Sequence, residues 1–190
     1  EIHWRDWSSD VCSSDLRHQQ ELVARDQGDV GLAVKAKAIA AKTYDLPELL
    51  VNVLGLEDVG AYFPHTITYH TTCHSLRVAR IGDTPIRLLD HVDGLTYIPL
   101  PEADVCCGFG GTFSLKNPET SASMLSDKMA HIVSTGAEIV VAGDYSCLMN
   151  IGGGLSRTRS GIRAMHLAEV LAGTKNEPWV APSTTTKLGA

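Results

Sequence analysis

The chain has 190 residues, of which 44% are hydrophobic and 6% aromatic, and its net charge is −6. These proportions are ordinary for a globular α/β protein, and no apolar run approaches the roughly 20 residues of a membrane-spanning helix. The chain lacks a basic patch large enough to follow a phosphate backbone, which argues against nucleic acid as a partner. With no secretory leader visible, a cytoplasmic location is expected.

The first sixteen residues differ from the rest of the chain. The run RDWSSDVCSSDL, from Arg5 to Leu16, has neither helical nor strand periodicity and contains Ser-Ser-Asp twice. With suitable codons it reverse-translates into a common sequencing-library adapter, so we interpret 1–16 as a disordered artefact and assign no function to Cys12. The alternative is a natural Ser/Asp-rich disordered lead. Residues 1–16 carry four acidic side chains and one arginine, so the remaining chain has a net charge of −3.

Residues 17–60 are predicted to form a helical lead-in. Asp29 is a typical N-cap residue for a helix that reaches Tyr44. The predicted apolar face of this helix consists of residues at helical spacing, namely Val30, Val34, Ala38 and Ala41. Asp45 is positioned to cap a second helix, which Gly55 would end.

Residues 61–173 alternate between strand and helix patterns. The predicted strands are 66–70, 95–100, 138–142 and 162–166, and the predicted helices are 118–135 and 167–172. The apolar positions of the longer helix are Met124, Met129, Ile132 and Val133. This alternation indicates an α/β fold with a parallel sheet and helices on both faces. Residues 174–190 contain two prolines and three consecutive threonines and are expected to be a disordered tail.

Four cysteines remain, and each comes after a predicted strand. Cys73 follows the first strand, the doublet Cys106-Cys107 follows the second, and Cys147 follows the third. Adjacent cysteines seldom form a disulfide with each other because the ring would be strained. Since the carboxyl ends of parallel strands meet at one edge of a sheet, we expect the four thiols to converge. Four thiolates are the ligand set of an iron–sulfur cluster or a closed zinc site.

Glycines accompany the cysteines. Gly108 and Gly110 follow the doublet, and Gly152 and Gly153 follow Cys147. Glycine lets backbone N–H groups approach cluster sulfurs closely, although turn formation explains any single glycine equally well. Helices that begin just after the first and last cysteine would direct their positive ends toward an anionic cluster.

Other polar residues near the cysteines have simpler interpretations. His70 and His74 flank Cys73, and we expect them to be hydrogen-bonding neighbours rather than ligands. Asp144 is expected to cap the helix that follows it, and His166 is expected to pack. Three arginines could bind a carboxylate but are more simply solvated surface residues: Arg77, Arg80 and Arg87.

The combined motifs resemble the CCG cysteine-rich domain family, which includes iron–sulfur subunits of heterodisulfide reductase, glycolate oxidase and lactate utilization systems. The segments HTTCH (70–74), CCGFGGTFS (106–114) and CLMNIGG (147–153) are most similar to the lactate utilization group. The resemblance covers roughly 18–173, with 61–173 as the CCG domain. It implies an iron–sulfur electron-transfer component of a complex that oxidises L-lactate to pyruvate, with other iron–sulfur subunits as its partners. The implied cofactor is a 4Fe-4S cluster, with Gly108 and Gly110 beside it and four cysteine ligands: Cys73, Cys106, Cys107 and Cys147.

Two departures from the family pattern shape this expectation. Family members carry two such halves, so the chain is expected to be the carboxyl-terminal half of a two-repeat protein. Asn150 stands where the fuller pattern has a fifth cysteine for a non-cubane cluster, which leaves a four-thiolate cluster as the expectation.

Three alternatives remain. The chain could be a glycolate oxidase-type subunit, a heterodisulfide reductase-type subunit that uses the doublet for thiol–disulfide chemistry, or a structural zinc module. The cysteine spacing argues against zinc, because structural zinc ligands usually come in pairs two to four residues apart.

Overall fold

A computed structural model describes residues 15–180 of the chain. Cys12 and residues 1–14 of the segment interpreted as an artefact lie outside the described residues, as do residues 181–190 of the expected tail. Among residues 15–180, no helix combines the length and apolarity needed to cross a bilayer.

Helices and parallel strands alternate through the described residues. The α-helices are α1 (Gln20–Asp26), α2 (Val30–Ala40), α3 (Leu46–Glu48), α4 (Thr84–Leu89), α5 (Thr112–Lys116), α6 (Pro118–Ser134), α7 (Tyr145–Arg157) and α8 (Leu167–Ala172). Short π-helical segments are Asp15–Gln19, Leu49–Val53 and His74–Ala79. The strands are β1 (Thr66–Tyr69), β2 (Thr96–Tyr97), β3 (Ile139–Ala142) and β4 (Arg163–His166).

The strands form one sheet in the order β2-β1-β3-β4, and every pairing is parallel. The central strand β3 is fully buried along its length, which explains its β-branched composition. Its side chains alternate between two apolar clusters. Ile139 and Val141 pack with residues of α4 and α8, whereas Val140 packs with residues of α6 and α7. The predicted α/β fold, a parallel sheet with helices on both faces, is therefore confirmed.

Two helices bury different residues from those predicted. On α2, Val30 and Val34 are 75% and 65% exposed, and Ala33 and Ala36 are buried instead. The reason is that α2 packs on α1 rather than on the sheet. On α6, Val133 is 52% exposed. The buried residues of this helix lie on one face, and they are Ser121, Lys128 and Ile132. The pattern of apolar residues thus missed two polar side chains that this helix buries.

The strand β2 is shorter than the predicted 95–100. Its pairing with β1 continues through Ile98, whose N–H donates to the Ile67 carbonyl over 2.8 Å. Pro99 has no N–H to donate, so the hydrogen-bond ladder stops there. Beyond α8, Trp179 packs near Phe63, with 5.8 Å between ring centroids, and lies under the Arg163 guanidinium.

Candidate metal centre

One cleft of about 880 Å³ lies at the carboxyl edge of the sheet, and all four predicted cysteine ligands line it. Cys107 and Cys147 are buried, whereas Cys73 and Cys106 are partly exposed, and none of the four forms a disulfide. The predicted convergence of the four thiols at this edge is therefore observed. Each of the three cysteine sites is held by a different set of contacts.

Cys73 stands at the start of the π-helical segment His74–Ala79, four residues after β1. The buried side chain of Thr72 fixes this turn, because its Oγ1 accepts the Ser75 N–H over 3.1 Å and donates to Ser75 Oγ over 2.9 Å. Cys73 is thus placed by a capping interaction at the mouth of the cleft. Sequence reasoning did not single out Thr72, although threonine is among the residues preferred at the start of a helix.

The doublet is held against α6 by the residue that follows it. The Gly108 N–H donates to Cys106 Sγ over 3.3 Å, and the Gly108 carbonyl accepts from Ser121 Oγ over 2.7 Å. Gly108 has a φ of +87°, and a Cβ at this position would lie 2.5 Å from the Ser121 carbonyl oxygen. Only glycine therefore fits here, both for its backbone angle and for its contact with α6.

Cys147 lies in the first turn of α7, where Asp144 is the N-cap as predicted. Asp144 Oδ1 accepts from the Ser146 N–H over 2.8 Å and from Ser146 Oγ over 2.6 Å. One turn after Cys147, the side-chain amide of Asn150 donates to the Cys107 carbonyl over 2.9 Å. Asn150 thus ties α7 to the doublet, which gives it a structural role at the position where the family pattern has a further cysteine.

The sulfurs of Cys107 and Cys147 form a hydrogen-bonded pair. The hydrogen bond from Cys147, followed by the effects of His70 and the Phe109 N–H, lowers the pKa of Cys107 to about 4 in spite of its burial. The same hydrogen bond, together with burial, raises the pKa of Cys147. Burial, and then the neighbouring Cys106, raise the pKa of Cys73. Since cysteine binds metals as thiolate, metal binding has to displace the protons of Cys73 and Cys147.

His70 reaches the same pair of sulfurs from the sheet. Its N–H continues the β1–β3 ladder by donating to the Val141 carbonyl over 2.8 Å, and its imidazole is completely buried. Apart from the hydrogen bond with Cys107, neither ring nitrogen has a hydrogen-bond partner among the described residues. A ring nitrogen and the sulfurs of Cys107 and Cys147 all lie within 4.8 Å of one another. The hydrogen bond expected of this histidine from the sequence is thus found with Cys107 alone.

Lys128 of α6 is a buried cation beside the doublet. It is 1% exposed, and its ammonium donates to the Glu102 carbonyl. Burial lowers the pKa of Lys128, while Asp104, Cys107, Glu102 and Cys106 act in the opposite direction. Sequence reasoning missed this residue, although Lys128 lies four residues before the apolar Ile132 and so on the inward face of the helix.

The remaining predicted residues lie in several places. Three of them line the cleft: Gly110, which has a φ of +54°, His74 and His166. The ring of His166 also stacks on Tyr145 and accepts the Ala168 N–H, which caps α8. Gly152 lies within α7, where its packing near Ala164 of β4 accounts for it. None of the three arginines lines the cleft, and each has another position: Arg77 and Arg80 are exposed, and Arg87 pairs with Glu57.

The donor set in the cleft fits a thiolate-ligated metal or an iron–sulfur cluster. Four thiols meet without disulfides, one of them is strongly acidified, and a buried cation lies beside them. Soft thiolate ligands select iron–sulfur clusters, zinc and copper(I) over hard cations, which prefer oxygen ligands. The doublet is also positioned before metal binding, because Ser121 and Asn150 hold consecutive carbonyl groups of its backbone.

Comparison with known proteins gives a consistent result. A family model described as a cysteine-rich (CCG) domain matches residues 67–152. Lactate utilization protein A of Lysinibacillus sphaericus (strain C3-41) is 49% identical over 145 residues, which are 76% of this chain and 64% of that protein. The protein of the same name from Geobacillus thermodenitrificans (strain NG80-2) is 50% identical over 145 residues, 76% of this chain and 61% of that protein. That of Bacillus subtilis (strain 168) is 45% identical over 163 residues, 86% of this chain and 67% of that protein. The chain thus spans 61% to 67% of the length of these relatives.

Proposed function

The chain belongs to the lactate utilization protein A family of CCG cysteine-rich proteins, and we propose that it carries an iron–sulfur electron-transfer site of a lactate-oxidising system. The observation that carries the proposal is the meeting of four thiols from three separate segments in one cleft. The proposed ligands share a position at the carboxyl edge of the sheet, and they are Cys73, Cys106, Cys107 and Cys147.

The residues around the thiols suit a one-electron site. A bound 4Fe-4S cluster would supply reversible one-electron storage. The Gly108 N–H, directed at Cys106 Sγ, would stabilise negative charge on that sulfur. The ammonium of Lys128 would offset part of the charge of four thiolates, and the helix α7 begins two residues before Cys147 with its positive end toward the cleft. Burial of Cys107 and Cys147 keeps water from that side of the centre.

The substrate and partners follow from the family. The relatives are named for lactate utilization, so we assign L-lactate as the source of the electrons. Its oxidation to pyruvate is assigned to a partner subunit, and this chain is assigned the passage of the released electrons to other iron–sulfur subunits. A subunit role of this kind requires no acid–base group directed at lactate within the cleft.

Anaerobic reconstitution tests the proposal. The chain is incubated with iron and sulfide in one sample and with zinc in another, and metal, acid-labile sulfide, visible absorption and the EPR spectrum of the reduced protein are measured. We expect a brown protein with about four irons and four sulfides per chain. Stoichiometric zinc with no retained iron or sulfide would reject the iron–sulfur site in favour of a zinc module.

One observation bears on the thiol–disulfide alternative. Cys107 has the lowered pKa of a nucleophilic thiolate, but Cys107 and its neighbour Cys147 are only 1% and 5% exposed. Reactive cysteines are accessible to their substrates, so burial argues against this chemistry and for a metal-ligand role.

Lys128 provides a test of the electrostatics. Replacing it by methionine keeps the shape of the side chain and removes its charge, so the reduced, more negative state of the centre loses stabilisation. We expect the midpoint potential to fall by on the order of tens of millivolts. This is the effect of one charge beside the doublet when the effective dielectric constant of the protein is about 20. Spectroelectrochemical titration measures the shift. Lys37→Met, on the exposed surface of α2, is the matched control and should leave the potential unchanged. An equal potential in the two variants would contradict a role of Lys128 in stabilising the reduced centre.

A further inference from the structure

His70 is the one buried donor at the cleft that the four-cysteine ligand set does not use. Its ring is completely buried, and among residues 15–180 its nitrogens have no hydrogen-bond partner other than Cys107. Leaving such a polar group unpaired in a protein interior costs roughly 1–3 kcal/mol. This buried imidazole beside two metal-binding sulfurs therefore keeps one nitrogen for which the described residues supply no partner.

Metal loading makes the need of His70 more specific. A neutral imidazole has one N–H and one lone pair, so its two nitrogens need one acceptor and one donor. Thiolates can accept from the N–H. However, the nearby thiols lose their protons when they bind a metal, and a loaded site then offers no S–H group to the imidazole lone pair. A lone pair that faces the two sulfurs of a loaded site therefore has the metal as its partner.

The position of His70 is compatible with a bond to the metal. A ring nitrogen lies within 4.8 Å of the sulfurs of both Cys107 and Cys147. Metal–sulfur bonds of about 2.3 Å and metal–nitrogen bonds of about 2.0 Å span nearly this separation through a single metal. The ring is also held in place, because the backbone of His70 is bonded to β3 and cannot withdraw without breaking the sheet.

Resting on the iron–sulfur site proposed above, we propose that His70 is a fifth protein ligand of the metal centre and binds an iron through its imidazole. The five donors then form two close sets, one of Cys73 and Cys106 and one of His70, Cys107 and Cys147. Asn150 is not available for this role, because its amide is engaged with the Cys107 carbonyl.

Nitrogen hyperfine spectroscopy of the reduced, reconstituted chain tests the proposal. We expect the large hyperfine coupling of a directly bound imidazole nitrogen, with the isotope pattern changed by ¹⁵N-histidine labelling. The coupling should vanish in His70→Leu and persist in His74→Leu, a matched control on the other side of Cys73. A loaded wild-type centre with no such coupling, or with the same coupling in His70→Leu, would overturn it.

His70→Cys keeps the test decisive if His70→Leu fails to retain iron. A thiolate at this position should restore iron and sulfide to the wild-type content, abolish the nitrogen coupling and lower the midpoint potential, because exchanging imidazole for thiolate adds negative charge. An unchanged spectrum and potential in the loaded His70→Cys protein would reject ligation by His70. Failure of the wild-type chain to assemble any iron–sulfur centre would reject the proposed function instead, so the two failures are distinguishable.

Discussion

Cys107→Ala is expected to retain at most about a tenth of the iron that the unaltered chain binds after anaerobic reconstitution. Cys107 is 1% exposed, and its hydrogen bond from Cys147 lowers its pKa, so its loss removes the sulfur whose metal-binding thiolate form is favoured. Its removal also leaves Cys147 and His70 without their shared neighbour. Iron and acid-labile sulfide analysis measures the loss, and circular dichroism checks that the fold is kept.

The same substitution offers a functional measurement. In Bacillus subtilis, a hybrid lactate utilization protein A can carry residues 18–173 of this chain in place of its own matching region. The hybrid is expected to support growth on L-lactate, and the hybrid with Cys107→Ala is not. Cys12→Ala in the isolated chain is the matched cysteine control and should bind iron normally. Full iron content in Cys107→Ala would remove the doublet from the ligand set.

Gly108→Ala is expected to destabilise the metal-free chain by roughly 3 kcal/mol. The added Cβ would lie 2.5 Å from the Ser121 carbonyl oxygen, and the φ of +87° is unfavourable for any residue with a side chain. Overpacking and backbone strain each cost about 1–3 kcal/mol. Urea denaturation followed by circular dichroism measures the free energy of unfolding.

Gly111→Ala separates the two causes within the same loop. Gly111 also has a positive φ, of +56°, but nothing lies within 4 Å of the position of its Cβ. We therefore expect only the strain, about 1 kcal/mol. Equal destabilisation by the two substitutions would show that contact with α6 does not restrict the residue after the doublet.

Much of the fold could be predicted from local sequence patterns. The β-branched run at β3, the Asp29 and Asp144 caps and the end of α6 near Gly136 all depend on interactions within a few residues. The buried faces of helices were harder to predict, because they depend on which element each helix packs against. Alanines rather than valines face inward on α2 because its partner is α1.

The four cysteines of the site could be predicted from the sequence, but the contacts that support them could not. Their positions after strands, combined with a parallel sheet, were sufficient to bring the four thiols together. The supporting contacts could not be predicted, since they join residues far apart in the sequence: Asn150 to the Cys107 carbonyl, Ser121 to the Gly108 carbonyl, and His70 to two sulfurs. His70 and Lys128 also look like unremarkable residues in the sequence, and only burial reveals their unusual environments.

The two hydrogen bonds that hold the doublet have a consequence for the rate of electron transfer. Asn150 of α7 and Ser121 of α6 hold the adjacent carbonyl groups of Cys107 and Gly108, so the backbone that follows the doublet is fixed to two helices. A centre bound by such ligands changes its bond lengths little when its charge changes. For the electron-transfer role that we propose, the reorganisation energy would therefore be small, and an electron would enter or leave without the surrounding protein first having to move.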